Sequence, residues 1–438
     1  MPSIIVHAHF YQPPRDNPWT GRVEREVNAA PWHDWNERIE RECYGVVAAA
    51  RLTTTNGETR ATRNLYEDIS FDFGPTLLEW LADNAKDTYR AILEADAASV
   101  AALGRGNAIA TPYHHVILPL ASRRDKITEV EWGIRDFRDR FGRNPEGMWL
   151  PETAVDMETL DVLAEAGIQF TIVAPHQVSE THRGLPSWIR TTRRGDRTMV
   201  VFPYDGGLSH DVAFGPLIKD AVVWADRMLT GGDGGEDALV ALATDGETYG
   251  HHHVFGEMAL AALVERLEMN PEVQITNFAA YLAKHPPPPE RTTMLVENTS
   301  WSCPHGIERW RLDCGCRTED GTSQAWRAPL RDALDWLRDQ LEEKYPPPNM
   351  PEEMQRHALR MFTSCGWFFD DVAGLETLIC LRSAARAIEL AQADSPRLLA
   401  GFRERLSIAV SNDPVEGNGA DIFDRHVWSS RPGPVNPS

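Results

Sequence analysis

No apolar run in the 438-residue chain approaches the roughly 20 residues a membrane-spanning helix needs. The opening stretch, MPSIIVHAHFYQPP, lacks the basic region and long apolar core of a secretory signal, so a cytoplasmic protein is expected. Cysteine is scarce. Six in this length make no disulfide scaffold, and Cys43, Cys365 and Cys380 stand in apolar or mixed contexts that suit reduced, buried thiols. Positive charge is in deficit: 44 Lys and Arg against 65 Asp and Glu leave a formal charge of -21. Phosphate backbones and anionic lipid surfaces would be repelled, which excludes nucleic acid and membrane as partners. The acids form no clustered tail and read as a solvated surface. A glycine-rich GxGxxG turn is also missing after the first apolar run, and no cofactor is called for.

What is present is an alternation of short apolar runs with helical patterns. Strand candidates fall at Ser3–Phe10 and at residues 107–115, 147–152, 169–175, 198–204, 238–245 and 273–278. Between several of them lie helices such as the one bearing Ile127, Val130, Ile134, Phe137 and Phe141 on one face. Strand–helix alternation predicts parallel strands with right-handed crossovers, hence an α/β fold. Six candidate strands end in titratable or amide side chains: His7/His9, His114/His115, Glu152, His176/Gln177, Asp205 and Asp245. A closed barrel gathers all such ends on one rim, whereas an open sheet spreads them along an edge. The expected fold is therefore an incomplete (β/α)7 TIM-like barrel over residues 1–285, with a long loop insertion at 11–70 read as a lid or binding loop. The stiff segment HPPPPE (285–290) closes it. A cysteine- and aromatic-rich segment and an α-helical bundle follow over 290–411, the first bundle helix marked by Leu330, Leu334, Leu337 and Leu341. Residues 412–438, rich in Asn, Gly, Asp and Pro, are expected to be a disordered tail.

The chemistry gathers at two strand ends. ALVALATDGETYGHHH (238–253) runs into Asp245 and Glu247, and GMWLPETAVD (147–156) is closed by Glu152. Two carboxylates across a polar, aromatic cleft suit glycosyl transfer, one attacking the anomeric carbon and the other, kept protonated, feeding the leaving oxygen. The bland alternatives are a first-turn or capping acid for Glu152 and a turn residue for Asp245. Glu247 would face the other side of an extended chain and anchor the turn or a rim histidine. Trp19, Trp149, Tyr249 and Trp301 are candidate sugar-stacking side chains, against core or loop packing as the plainer role, favoured for Trp149 within a buried strand. His176 and Asp205 join the substrate-binding candidates by their strand-end positions.

Four motifs, HAHFYQPP, PYHHVILPL, GMWLPE and TDGETYG, resemble glycoside hydrolase family 57. That resemblance implies an incomplete barrel acting on α-linked glucans with retention, as amylase, 4-α-glucanotransferase or branching enzyme. It further implies Glu152 as the nucleophile, Asp245 as the general acid/base, and His9 and His115 as substrate contacts, with an α-glucan or malto-oligosaccharide as the partner. In the family the first motif runs histidine, glutamine, proline; here Phe10 and Tyr11 separate His9 from Gln12, which keeps His7 as a candidate beside His9. PWHDWNERIERECY, SFDFGPTLLEWL, SWSCPHGIERW and SCGWFFDD resemble a subgroup with an appended C-terminal domain of unknown function, whose larger members continue past the point where this chain stops.

Two other readings compete. His7, His9, His115 and His176 with Asp245 are the donor set of a metal-dependent barrel hydrolase, although Glu152 then has no task. A barrel that only binds glucan is the reading outside catalysis. Separately, Cys303, His305, Cys314 and Cys316 have zinc-ligand chemistry but CxH and CxC spacings tighter than the usual two-to-four-residue gaps, so the expectation is a reduced thiol cluster rather than a metal site.

Overall fold

The computed structural model describes residues 2–431 apart from Thr55, 192–196, 232–237 and 347–348. Two compact units emerge. The first takes Met1–Gln12, Arg25–Tyr113 and Lys126–Glu297, and the second Pro13–Glu24, His114–Asp125 and Asn298–Ser438. The barrel expected as one continuous stretch over 1–285 thus gives up two short segments to the second unit.

In the first unit the β-branched run of β1 (Ser3–Phe10) is buried along its whole length, as a central parallel strand requires. A hairpin follows, β2 (Ala50–Thr53) with β3 (Thr59–Arg63), and then β4 (Ser70–Phe73). The remaining strands are β5 (Phe170–Val173), β6 (Ser187–Thr191), β7 (Arg197–Pro203), β8 (Leu239–Asp245) and the two-residue β9 (Gln274–Ile275). Parallel pairing runs from β8 to β1 to β4. It continues through single bridges, Phe71 to Ala108, Ala110 to Met148 and Gly147 to Phe170, into β5 and on to β7. The Asp205 N–H then donates to the Ala241 carbonyl at 2.7 Å, which returns the wall to β8. Seven strand positions ring the barrel, closed between β7 and β8 by that thin contact, in keeping with an incomplete (β/α)7 architecture.

Two expected strands are reduced to bridges, at residues 108–110 and 147–148. The expected seventh, 273–278, is not part of the ring: β9 pairs only with the start of β1. Its place is taken by β4, which lies at the edge of the stretch assigned to a loop. That stretch is not an irregular lid in the first unit. It holds helical turns from Trp35 to Ala48, the hairpin and a 3-10 turn, and Tyr44 and Tyr66 are fully buried against Phe10 and Phe73. Aromatic burial, worth more than loop polarity suggests, fixes the segment.

The second unit is helical, as expected. Leu330, Leu334, Leu337 and Leu341 of helix Arg327–Lys344 are fully buried, and helices Glu352–Arg360, Leu375–Leu390 and Ser395–Leu406 complete its larger elements. The expected disordered tail is folded as far as Trp428: Asn418 caps Gly419–Ile422, a π-helical turn spans Phe423–Trp428, and Ile422, Phe423 and Val427 are buried. Polar composition concealed this apolar face; residues 432–438 lie outside the described residues. Among the described residues no helix is long and apolar enough to cross a membrane.

Candidate active site

Because side chains alternate along a strand, His7 and His9 share one face of β1, and their register partners share it on the neighbouring strands. His9 pairs with Asp72 on β4 and with Asp245 on β8, so Asp72, His9 and Asp245 form a row across three adjacent strands. The His9 Nδ1 lies 2.8 Å from Asp72 Oδ2, while His7 places Nδ1 3.0 Å from the Ser70 hydroxyl and Nε2 3.2 Å from Asp72 Oδ1. The Trp149 ring stacks on both imidazoles, with centroid distances of 4.9 Å to His7 and 5.2 Å to His9. A barrel interior usually filled by branched aliphatics is here packed with imidazoles, a carboxylate and an indole.

Glu152 and Asp245 leave the wall at its C-terminal ends. Counting round the ring, their strands are three steps apart one way and four the other, so the two acids stand on opposite sides of the mouth. Neither acid caps the helical element that follows it. The helix after Glu152, Met157–Glu165, is capped by Asp156, whose Oδ1 accepts from Thr159 N at 2.8 Å. Asp245 precedes a 3-10 turn without capping it. Glu152 sits in the left-handed region at φ 57°, followed by Thr153 at φ 49°. Such backbone costs on the order of 1–3 kcal/mol per residue and persists only when its surroundings impose it. Here Gln177 does so in part: its Nε2 donates to the Thr153 carbonyl at 2.8 Å, and its Oε1 accepts from Ala174 N at 2.7 Å.

The protons follow from these positions. Asp245 is the exposed end of a buried strand, open to water yet densely surrounded by protein. Incomplete hydration is the largest influence on its carboxyl, followed by the charge of Glu247; His9 offsets part of this, and Glu152 and Asp72 add to it, leaving a pKa of about 7. For His9, burial alone would depress the imidazole, but the Asp72 charge and hydrogen bond, with Asp245 and Glu247 beyond, lift it to about 9. His7 goes the other way: burial outweighs Asp72, and His9 repels a second proton. Asp72 therefore serves one cationic and one neutral imidazole. Burial and then the Asp245 charge push the Tyr204 phenol up, which keeps it protonated. Glu247 is buried too, held by the Tyr44 hydroxyl at 2.5 Å and Tyr11 N at 3.3 Å; burial raises its carboxyl. Gly246 between the two acids has no room for a side chain, since a Cβ would meet the Phe10 ring at 2.1 Å.

The first unit thus brings together His7, His9, Trp149, Glu152 and Asp245. Other candidates are placed differently. Trp149 is fully buried with its face taken by histidines, so it supports them and offers no sugar platform. Tyr249 is also fully buried, its hydroxyl accepting from Thr244 and its ring parallel to Trp224, because the chain turns inward after Gly246. Asp205 caps helix Gly206–Ala213 by accepting from Leu208 N at 2.9 Å. His176 is exposed in a 3-10 turn whose buried member is Gln177. His115 and Trp301 belong to the second unit, where His115 Nδ1 meets the Ser364 hydroxyl at 2.7 Å. Sequence reasoning missed Asp72, though Phe71-Asp72-Phe73 alternates as a strand does and Pro75 starts a helix two residues later. It also undervalued Gln177. A cleft of about 820 Å³ beside His33, Glu37, Arg41 and Lys86 holds no strand-end acid, and carboxylate placement rather than cavity size selects the site.

Fold and site together define a parallel βα-barrel with two carboxylates at strand ends on opposite sides of its C-terminal mouth. The family model for glycosyl hydrolase family 57 matches residues 37–292, and that for a domain of unknown function (DUF3536) matches 323–347 and 352–434. The chain belongs to glycosyl hydrolase family 57. A 4-alpha-glucanotransferase of Thermococcus litoralis is 24% identical over 228 residues, 50% of this chain and 33% of that protein. An alpha-amylase of Pyrococcus abyssi shows the same identity and coverage. The matches therefore span about half of this chain and a third of those curated relatives. In fold, the chain resembles an exo-type maltose-forming amylase from Pyrococcus sp. ST04, at TM-score 0.71 and 15% identity over 96% of this chain and 90% of that one. A family 57 branching enzyme from Pyrococcus horikoshii gives TM-score 0.62 and 16% identity, covering 97% and 93%.

Proposed function

We propose that the chain is a retaining glycoside hydrolase or transglycosylase acting on α-linked glucans, with Glu152 as nucleophile and Asp245 as general acid/base. The observation that carries this reading is the Asp245 carboxyl, held at about 7 in a row with His9 while Glu152 contributes to its shift. A general acid works best with a pKa near the working pH, and a nearby carboxylate supplies part of the elevation. In the first step the Glu152 carboxylate bonds to the anomeric carbon as the bond to the leaving oxygen breaks, and Asp245 gives that oxygen its proton. The resulting ester removes the Glu152 charge, which lowers the Asp245 pKa and favours its second role as base. It then takes a proton from water, or from a glucan hydroxyl, which displaces Glu152 with net retention.

The names of the curated relatives, glucanotransferase and amylase, support an α-glucan substrate. All six cysteines are free, which supports a reducing cytoplasm. The metal-hydrolase reading is weakened by how the histidines are used. Among the described residues, the single grouping of three or more metal-ligating side chains excludes His7, His9, His176 and Asp245.

The test is turnover of malto-oligosaccharides, with sizing and anomeric NMR of the products. Retained α-products support the reading; products longer than the substrate mark transfer and shorter ones hydrolysis. Inverted products, or activity abolished by chelators and restored by a divalent metal, would overturn it in favour of another mechanism. Binding without any turnover favours the glucan-binding alternative.

A further inference from the structure

Between the two family matches lies a stretch that neither covers, residues 293–322. Within it Cys303, His305, Cys314 and Cys316 converge, their ligand atoms all within 4.8 Å of one another. The Cys303 sulfur is 3.9 Å from that of Cys314, 3.8 Å from that of Cys316 and 4.0 Å from His305 Nδ1; Cys316 lies 3.5 Å from the same nitrogen. A tetrahedral zinc ion with bonds of about 2.3 Å to sulfur and about 2.0 Å to nitrogen has sulfur–sulfur edges of about 3.8 Å and sulfur–nitrogen edges of about 3.5 Å. We propose that these four residues form a closed Cys3His zinc site with a structural role.

Two further features fit a metal-bound thiolate set. Backbone amides of His305 and Arg309 donate to the Cys303 sulfur, hydrogen bonds of the kind that orient a metal ligand. The turn that delivers them needs Gly306, at φ 77°, where a Cβ would strike the Asn298 carbonyl at 2.1 Å. Arg327, fully buried, brings Nη1 to 3.9 Å from the Cys314 sulfur and donates to the Cys316 carbonyl at 3.0 Å. Three thiolates, a neutral imidazole and a dication sum to one negative charge, which this guanidinium offsets. The rival is a disulfide. Cys303, however, stands nearly equidistant from two sulfurs, an arrangement that one bridge cannot use and a tetrahedron requires. With four protein ligands the coordination is complete, so the ion holds the 303–316 loop to the start of helix Arg327–Lys344 and offers no open position for catalysis. The short CxH and CxC spacings that spoke against a metal are spanned by turns at Gly306 and Gly315.

The experiment is metal analysis of the full chain, expressed with zinc in the medium and passed through gel filtration, beside C314S and C380S. About one zinc per chain is expected in wild type and C380S, since Cys380 is buried elsewhere in the helices, and less than about a tenth of that in C314S. Exchange with cobalt(II) is expected to give the intense visible bands of tetrahedral thiolate coordination. Should C314S fail to fold, wild-type metal content and the cobalt spectrum carry the test alone. Wild type with less than about a tenth of a zinc per chain, or peptide mapping that finds Cys303 bridged to Cys314 or Cys316, overturns the proposal.

Discussion

His9 and Asp245 face each other in register on β1 and β8, and the charge of each pulls the other toward its ionised form. With Asp72 as its main partner, His9 is a cation at neutral pH, while Asp245 stays half protonated near 7 because burial and Glu247 outweigh His9. As Asp245 must be protonated in the first step, kcat/KM on malto-oligosaccharides is expected to fall as pH rises through about 7. In D245N that limb disappears along with about 10²–10⁴-fold of the rate. With α-glucosyl fluoride, whose leaving group needs no proton, D245N is expected to keep far more of the wild-type rate.

The same charges govern stability. The folded pKa of His9 lies above its unfolded value of 6.5, so its contribution is complete below pH 6.5 and lost as pH rises through about 9. Asp72→Asn removes the partner and is expected to cost about 3–5 kcal/mol at pH 6.5, since a buried charge pair is broken. Urea unfolding at pH 6.5 and 9.5 checks this: the gap between D72N and wild type should shrink at the higher pH. A constant gap would mean that His9 is not the titrating partner.

Gln177 bonds the carbonyl of the residue after Glu152, which gives it a positioning role in this scheme. Gln177→Ala is expected to lower kcat about 10–100-fold, as small misplacements of a reacting group do. KM should change little, and the buried Thr153 carbonyl left unpaired should cost about 1–3 kcal/mol of stability. Steady-state kinetics beside thermal melts separate the two effects; a melt that drops with no loss of kcat would leave Gln177 a purely structural residue.

Gly246→Ala tests the packing of the turn between Asp245 and Glu247. With a Cβ driven into the Phe10 ring, a loss of about 1–3 kcal/mol is expected, seen as a lower Tm. Wild-type stability in G246A would show that the ring yields freely.

The barrel was legible where strands are long and apolar: β1 and β8 declare themselves by β-branched runs, and the acid after β8 by its abrupt polarity. It was illegible where the wall is thin. Residues 108–110 and 147–148 contribute single bridges, and β4 is four residues long at the edge of a polar stretch, so its Asp72 went unseen while being central to the histidine pair. Tyr249 looked like a sugar contact because side-chain type says nothing about which way a turn points its ring, whereas a buried strand already favoured core packing for Trp149. Both acids stand out at strand ends, but the left-handed backbone at Glu152 and Thr153 is held in part by the bond from Gln177 to the Thr153 carbonyl, 24 residues away in sequence, which no local pattern encodes.

The most direct measurement is mass-spectrometric mapping of the covalent intermediate, trapped with a fluorinated α-glucosyl fluoride whose ring substituent slows release of the ester. A single sugar on the peptide carrying Glu152, absent in E152Q and accumulating in D245N, is the expected result. Turnover that proceeds with the label on another residue, or with no ester formed at all, would contradict the assignment of Glu152 as nucleophile.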